Sequence, residues 1–186
     1  MKPDKLREQA EKVLSGAELL YTAQQVEAAL DRLAQDIKHR LGAENPLVIC
    51  PMIGGLVVCG QLITRLDFPL ELDYIHATRY RGETTGADLH WLRQPQQNVA
   101  GRTLLIVDDI LDQGITLLEI MQACRHAGAH SMYTAVLVEK QLSRPPPLQH
   151  ADFTGLTVPD RYVFGYGMDY RGYLRNCAGI YAVAES

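Results

Sequence analysis

Three carboxylates lie close together near the middle of the chain. Asp108 and Asp109 come directly after an apolar run, and Asp112 follows three residues later. Gly114 and Thr116 come next, before a helical pattern begins. Paired acids suit a cation or sugar hydroxyls, and a glycine-threonine turn suits a phosphate, because the start of a helix presents free backbone N–H groups to anions. A single ligand that carries all three features is a phosphorylated sugar.

Strand and helix patterns alternate around these carboxylates. Strands are predicted at residues 47–50, 70–74, 89–92, 103–107, 132–138, 162–165 and 179–183. Helical spacing of apolar residues predicts helices at 22–42, 56–66 and 115–127, the first with a capping box at Thr22 and Gln25. Leu70, Leu72 and Tyr74 alternate with acids, which predicts a half-exposed strand. The alternation of elements favours a parallel α/β sheet, whose strands bind ligands at their carboxyl ends.

The composition excludes several classes of protein. A length of 186 residues is typical of one domain, and a net charge of −4 argues against a general nucleic-acid binder, which needs a basic face. No apolar run reaches the ~18 residues that a membrane span needs. The four cysteines show no CxxC spacing, which predicts free thiols and fits a cytoplasmic location.

The acidic segment resembles the signature of the type I phosphoribosyltransferases, which bind 5-phosphoribosyl 1-diphosphate (PRPP). The segments Val138–Lys140 and Arg161–Tyr170 are similar to those of the hypoxanthine-guanine subgroup. The resemblance implies an α/β fold with a parallel β-sheet flanked by helices and a small hood built from the chain ends. It gives one domain over 1–186, with a core of about 43–145 and a hood from the N-terminal segment and about 150–186.

The reaction that the resemblance implies is transfer of the phosphoribosyl group from PRPP to N9 of a 6-oxopurine, with release of pyrophosphate. The family assigns Asp108 and Asp109 to the ribose hydroxyls and to Mg²⁺, with Asp169 holding a second Mg²⁺ near the purine. Asp112 is the expected catalytic acid or base near N7 of the purine. The alternative interpretation is a cap for the following helix, a common use of aspartate.

Further binding roles are carried over from the family in the same way. The 5-phosphate is expected to lie against Gln113, Gly114, Ile115 and Thr116. Ile53, Gly54 and Arg175 are expected to contact pyrophosphate, although some relatives carry a lysine at the position of Ile53. The purine is expected to contact Lys140 at O6, Tyr162 by stacking and Val163 through its backbone. On residue type alone, Lys140 and Arg175 could be solvated surface cations and Tyr162 a core residue.

The polar segment from Arg79 to Asp88 is predicted to be a mobile loop that closes over the site. Tyr80 matches the family there, whereas Arg79 replaces a serine. Two other functions stay open: transfer to another base such as xanthine, and a non-catalytic nucleotide-sensing regulator on the same fold. The expected partners are PRPP and the purine base, with no nucleic acid and no membrane, and the family implies a homodimer or homotetramer.

Overall fold

The computed structural model describes residues 3–79 and 89–184. The elements run in the order α1 (Pro3–Gly16), β1 (Glu18–Tyr21), α2 (Ala23–Leu41), β2 (Leu47–Met52), α3 (Gly55–Ile63), β3 (Glu71–Arg79), β4 (Leu89–Arg93), β5 (Thr103–Leu111), α4 (Ile115–His126), β6 (Ser131–Gln141), β7 (Phe153–Pro159), β8 (Val163–Phe164) and β9 (Ile180–Ala182). No helix in this described part of the chain is both long and apolar enough to cross a bilayer.

A six-stranded sheet with strand order β4-β3-β2-β5-β6-β7 forms the centre of the molecule. Neighbouring strands from β3 to β7 are parallel, and only β4 runs antiparallel at the edge. The α/β fold with a mainly parallel sheet is therefore confirmed. The chain proceeds from β2 towards one edge and from β5 towards the other, so their carboxyl ends form a switch point at which ligands bind in such sheets.

The central strands are buried on both faces, which is why their sequences are continuous apolar runs. In β2, Val48 and Cys50 pack with the side chains of α2 and α3, whereas Leu47 and Ile49 pack with those of α4. The same alternation in β5 places successive side chains in the two apolar layers. The sheet is thus held rigidly from both sides, which fixes the positions of the residues at its carboxyl edge.

The structure confirms the predicted start of one helix and shows that the predicted end of another is wrong. The capping box at the start of α2 is present, with the Thr22 side chain accepting from the Gln25 N–H and Gln25 accepting from the Thr22 N–H. The helix predicted at 56–66 ends earlier, at Ile63. The Arg65 N–H donates instead to the Leu62 carbonyl at 2.9 Å, which closes a tight turn and releases the chain towards β3.

Side chains of β3 alternate between the two faces of the strand, as predicted. However, the acidic side chain is buried and the neighbouring apolar side chains are exposed, which is the reverse of what hydrophobicity indicates. Asp73 is 7% exposed, whereas Leu72 is 48% and Tyr74 41% exposed. Asp73 is stable in this position because its carboxylate accepts the backbone N–H groups of Gln96 at 2.6 Å and Gln97 at 2.9 Å. Hydrogen bonding of one carboxylate therefore overrides the apolar pattern of this strand.

The two chain ends pair in a three-stranded sheet of order β1-β9-β8. We call this sheet, together with residues 160–184 around β8 and β9, the hood. The hood is joined to the helical layer by Tyr166, whose hydroxyl donates to Glu27 of α2 at 2.7 Å. No local pattern in the sequence predicts α1, β1 or β7. The hood was expected from about residue 150, but β7 pairs in parallel with β6, so residues 153–159 belong to the central sheet.

Candidate active site

A cavity of about 540 Å³ lies at the switch point between β2 and β5. Fourteen of the residues singled out in the sequence line this one cavity, namely Ile53, Gly54, Asp108, Asp109, Asp112, Gln113, Gly114, Ile115, Thr116, Lys140, Tyr162, Val163, Asp169 and Arg175. Arg79 ends β3, and its side chain, Tyr80 and the rest of the predicted loop lie outside the described residues. The structure therefore brings the remaining candidates together.

The acidic pair lies at the base of the cavity, where β5 ends. Burial and the neighbouring charge of Asp109 raise the pKa of Asp108 well above its ordinary value. Burial also raises the pKa of Asp109, although the Arg175 guanidinium opposes this shift. The Asp108 carboxylate accepts the Asp109 N–H at 2.9 Å. Asp109 is buried and Asp108 is partly exposed to the cavity, and two neighbouring acids that repel each other favour a ligand that brings positive charge or hydrogen-bond donors.

Asp112 and Lys140 form an ion pair on one side of the cavity, with Nζ 2.9 Å from Oδ2. The side chain of Lys140 is only 11% exposed, so the alternative of a solvated surface lysine is wrong. The capping alternative for Asp112 is also wrong, because α4 has Gly114 at its N-cap and no side-chain capping bond. The pair places an ammonium donor beside a carboxylate acceptor at the cavity wall.

The start of α4 forms another wall. Gly114 adopts a left-handed conformation with φ of +69°, and a Cβ there would lie 2.8 Å from the Cβ of Leu148, so glycine is needed for both reasons. The first bond of the helix joins the Leu118 N–H to the Gly114 carbonyl at 3.0 Å. The amides before Leu118 have no acceptor within the helix and are available to an anion.

The loop after β2 approaches the acidic pair closely. A Cβ on Gly54 would lie 2.4 Å from an oxygen of Asp109, so only glycine allows this contact. The peptide bond between Met52 and Ile53 is cis, a feature that the sequence does not reveal. Ile53 is 53% exposed and offers no charge, so polar contacts at its position come from the main chain.

The hood closes the cavity from the opposite side. Tyr162 is 52% exposed and meets Tyr170 edge to face at 5.5 Å, so it is not the core residue that the alternative interpretation required. Arg175 is not a free surface cation either, because it pairs with Asp169 at 2.6 Å and donates to the Gly167 carbonyl. Both residues are therefore fixed at the cavity.

Gly167 lies next to the cavity, where its carbonyl accepts from Arg175, and the sequence patterns assign it no role. Gly167 has φ of +107°, and a Cβ there would lie 2.5 Å from the Gly54 carbonyl oxygen. This contact is where the hood meets the loop after β2. The available signal was the pair of glycines, Gly165 and Gly167, in the segment that carries the resemblance, since closely spaced glycines often mark close backbone approach.

Comparison with known proteins places this geometry in a family. Residues 16–171 match the family model for the phosphoribosyl transferase domain. The hypoxanthine-guanine-xanthine phosphoribosyltransferase of Tritrichomonas foetus is 29% identical over 90% of this chain and 92% of its own. The hypoxanthine-guanine phosphoribosyltransferase of Bacillus subtilis is 30% identical over 85% and 88%.

Solved structures agree with the sequence relatives. The crystal structure of a hypoxanthine-guanine phosphoribosyltransferase from Bacillus anthracis superposes with a TM-score of 0.82 at 27% identity, covering 90% of this chain and 98% of that one. The family model covers most of the described chain, including the strands and loops that form the cavity. From the fold, the site and these matches together, the chain belongs to the phosphoribosyl transferase family.

Proposed function

We propose that this protein is a hypoxanthine-guanine phosphoribosyltransferase of purine salvage. It transfers the 5-phosphoribosyl group of PRPP to N9 of hypoxanthine or guanine and yields IMP or GMP and pyrophosphate. The observation that carries the proposal is the Asp112–Lys140 pair, with its 2.9 Å separation, in the same cavity as the acidic pair and the start of α4. One cavity thus offers complementary groups to both substrates.

The ion pair complements one edge of a 6-oxopurine. O6 is an acceptor and a proton on N7 is a donor, and the two atoms are neighbours on the ring. Lys140 donates to O6, and Asp112 accepts the N7 proton as N9 bonds to C1 of the ribose. Adenine carries an amino donor at C6, which would face the Lys140 ammonium, and a site built for an acceptor strongly disfavours such a base.

The hood supplies the remaining contacts with the base. Tyr162 offers an exposed ring on which the purine stacks, a contact worth about 1–3 kcal/mol. The backbone of Val163, which pairs with Ala182 in the hood sheet, reads the edge of the purine. Hood and central sheet then hold opposite sides of one planar ligand.

The ribose and phosphates bind along the carboxyl edge of the sheet. The amides and hydroxyl of Gln113, Gly114, Ile115 and Thr116 hold the 5-phosphate. Asp108 and Asp109 hold the ribose hydroxyls and stabilise the positive charge that develops on the sugar as the C1–oxygen bond to pyrophosphate breaks. Arg175 and the main chain of Ile53 and Gly54 hold the departing pyrophosphate.

The donor set also fits Mg²⁺. No group of three or more His, Cys, Asp or Glu side chains in the described ranges could hold a metal on its own. Mg²⁺ is commonly bound by one or two carboxylates together with substrate phosphates, and Asp108, Asp109 and Asp169 supply carboxylates of this kind. When bound, the ion neutralises pyrophosphate and makes it a better leaving group.

The decisive experiment is a spectrophotometric assay of hypoxanthine, guanine, xanthine and adenine, each with PRPP, with Mg²⁺ or with a chelator. Turnover of hypoxanthine and guanine, with little of adenine and none in chelator, is the expected result. Comparable turnover of adenine would contradict the proposed role of Lys140. Absence of turnover with every base, together with tight nucleotide binding, would favour the nucleotide-sensing regulator.

Xanthine is the second candidate substrate. It is favoured by the Tritrichomonas foetus relative, whose name includes xanthine. Xanthine and guanine share O6 and N7 and differ at C2, so the Asp112–Lys140 pair accepts either. The xanthine arm of the same assay decides between the narrower and the broader specificity.

We further propose that residues 1–186 act as one domain in the cytoplasm, as a homodimer or homotetramer without nucleic-acid or membrane partners. The four cysteines are free, which fits a reducing compartment. Several large apolar side chains, such as Leu19 at 48% and Leu92 at 56% exposure, support association, because self-assembly would cover them. Light scattering coupled to gel filtration tests the oligomeric state, and a monomer at assay concentration would contradict it.

A further inference from the structure

Two cysteines lie directly behind the loop that follows β2. Cys50 is 4% and Cys59 is 3% exposed. Cys50 belongs to β2 and Cys59 to α3, and both side chains lie in the same apolar layer between the sheet and the helices. The two residues therefore flank the segment Met52–Gly54, with Cys50 before it and Cys59 after it. This segment lines the proposed pyrophosphate site.

The two thiols interact with each other. The neighbouring Cys50 lowers the pKa of Cys59, whereas the neighbouring Cys59 and burial raise the pKa of Cys50. The Cys50 thiol itself donates to the Pro51 carbonyl, with the sulfur 3.9 Å from the oxygen. In such a pair one thiol ionises more readily than the other. This thiol is the one that an oxidant converts to a sulfenic acid, and the second thiol then condenses with the sulfenic acid to form a disulfide. The other two cysteines differ, since Cys124 packs in the opposite layer with α4 and Cys177 is in the hood region.

The thiols can be reached by a small solute. Cys50 and Cys59 line a second cavity, of about 370 Å³, whose walls include Leu56 of α3 and Leu72 of β3. Leu56 is 49% and Leu72 48% exposed, so the cavity lies at the surface. A peroxide molecule is small compared with this cavity, whose lining also includes the polar residues Asp73, Arg93 and Gln96.

We propose that Cys50 and Cys59 form a peroxide-sensitive dithiol whose oxidation to a disulfide weakens binding at the adjacent pyrophosphate loop. In the first step the Cys59 sulfur attacks one oxygen of hydrogen peroxide, giving a sulfenic acid and water. In the second step the Cys50 sulfur displaces the sulfenic hydroxyl, which leaves as water. Two thiols and one peroxide thus become one disulfide and two waters.

The consequence for the site follows from where the bond forms. A disulfide draws its two sulfurs closer than unbonded thiols approach, so the end of β2 and the first turns of α3 must shift towards each other. Gly54 lies between them and contacts Asp109 so closely that no Cβ fits. Movement of this loop therefore disturbs the binding of PRPP, with its pyrophosphate group, more than the binding of the purine.

The positions of the tryptic cleavage sites isolate the two cysteines in one peptide. Trypsin cleaves after Arg40 and Arg65 and not between them, so Leu41–Arg65 is released as one peptide that contains Cys50, Cys59 and no other cysteine. The protein is treated with hydrogen peroxide, its remaining thiols are alkylated, and this peptide is analysed by mass spectrometry. The expected product is an unalkylated peptide two hydrogens lighter than the dithiol form, which thioredoxin or dithiothreitol restores.

The functional test is kinetic and uses the same oxidised and reduced samples. The KM for PRPP is expected to rise several-fold on oxidation, the KM for hypoxanthine to change little, and reduction to reverse the effect. Cys59→Ala is expected to abolish the response, whereas Cys124→Ala keeps it. A peptide that remains fully alkylated after peroxide, or a disulfide that leaves the KM for PRPP unchanged, would overturn the proposal, and the peptide measurement does not depend on activity.

Discussion

Two strands of the central sheet carry buried carboxylates whose pKa values are shifted in opposite directions. Asp73 of β3 and Asp109 of β5 are each 7% exposed. Burial raises the pKa of Asp73, but hydrogen bonds from the Gln97, Tyr74 and Gln96 amides and from Arg93 outweigh burial, and the net shift is downward. At Asp108 and Asp109 the net shift is upward.

The contrast distinguishes a structural acid from a binding acid. Asp73 has protein donors for its oxygens, so its charge is stabilised whenever the chain is folded. Asp108 and Asp109 face the cavity and each other, so their charges are stabilised fully only when a ligand brings donors or a cation. Burial alone therefore does not identify a functional carboxylate, and the direction of the net pKa shift separates the two cases.

The largest expected effect tests this contrast directly. Asp108→Asn keeps the shape of the side chain and its acceptor for the Asp109 N–H but removes one of two repelling charges. We expect kcat/KM to fall by about 10²–10³-fold, while the melting temperature of the unliganded protein rises by a few degrees, at about 2–4 °C per kcal/mol for this size. Steady-state kinetics and calorimetry measure the two changes.

Asp73→Asn is the matched control for that substitution. Asparagine keeps one acceptor oxygen but cannot accept from all the donors that the buried Asp73 carboxylate holds, namely the Tyr74, Gln96 and Gln97 amides and Arg93. The loss costs about 2 kcal/mol, so the melting temperature should fall while the kinetic constants stay nearly unchanged. If both variants shifted the melting temperature in the same direction, the distinction between the two acids would be wrong.

The second effect concerns Asp112, an acid that is partly buried and paired with Lys140. Asp112→Asn retains a hydrogen-bonding side chain beside Lys140 but cannot accept the N7 proton. We expect kcat to fall about 10²-fold, a typical contribution of a general base, while PRPP binding measured by calorimetry is preserved. Unchanged turnover would remove Asp112 from the mechanism.

The third effect sharpens the comparison between substrates. Lys140→Ala removes the donor to O6, so the KM for hypoxanthine and guanine should rise about tenfold or more, with a much smaller change for PRPP. Lys38→Ala is the matched control, because Lys38 pairs with Asp67 on the exposed surface. Equal weakening of both substrates would indicate that Lys140 is mainly structural.

The smallest effect is a pH dependence whose sign differs between the two acidic sites. A raised folded-state pKa at Asp108 means that its contribution to stability is full below the unfolded value of about 3.9 and is lost as pH rises through the folded value. The lowered pKa of Asp73 gives stability above about 3.9 that is lost as pH falls through its folded value.

A pH series of unfolding free energies measures this difference. The advantage of Asp108→Asn over the wild type should be small near pH 4 and grow towards neutrality, and the cost of Asp73→Asn should shrink only in stronger acid. An advantage of Asp108→Asn that is independent of pH would show that relief of charge repulsion is not its cause.

The same physics explains what could be predicted from the sequence. The acidic run could be predicted because the apolar part of β5, the carboxylates at its carboxyl end and the glycine are contiguous, and contiguous residues at a strand end share one location. The parallel sheet followed from the alternation of elements. The hood strands β8 and β9 lie within the strands predicted at 162–165 and 179–183. In contrast, β1 and α1 could not be predicted, because their stability depends on pairing and packing between distant parts of the chain and not on local pattern.

Side-chain partners were the least predictable part of the site. The inward orientation of Asp73 depends on amides that lie more than twenty residues away in the chain. The contact between Gly167 and Gly54 joins residues with no local relation. Tyr80 lies outside the described residues, so the loop prediction remains a prediction.

The pairing of β1 with β9 has a consequence for how the molecule is made. Glu18 meets Ala182 in that ladder, so β1 has no partner until β9, the last strand of the described chain, has left the ribosome. Closing so long a loop is entropically slow. The sugar-phosphate half of the cavity can assemble on the nascent sheet, whereas the half that stacks on the base is completed last, after the final strand has emerged.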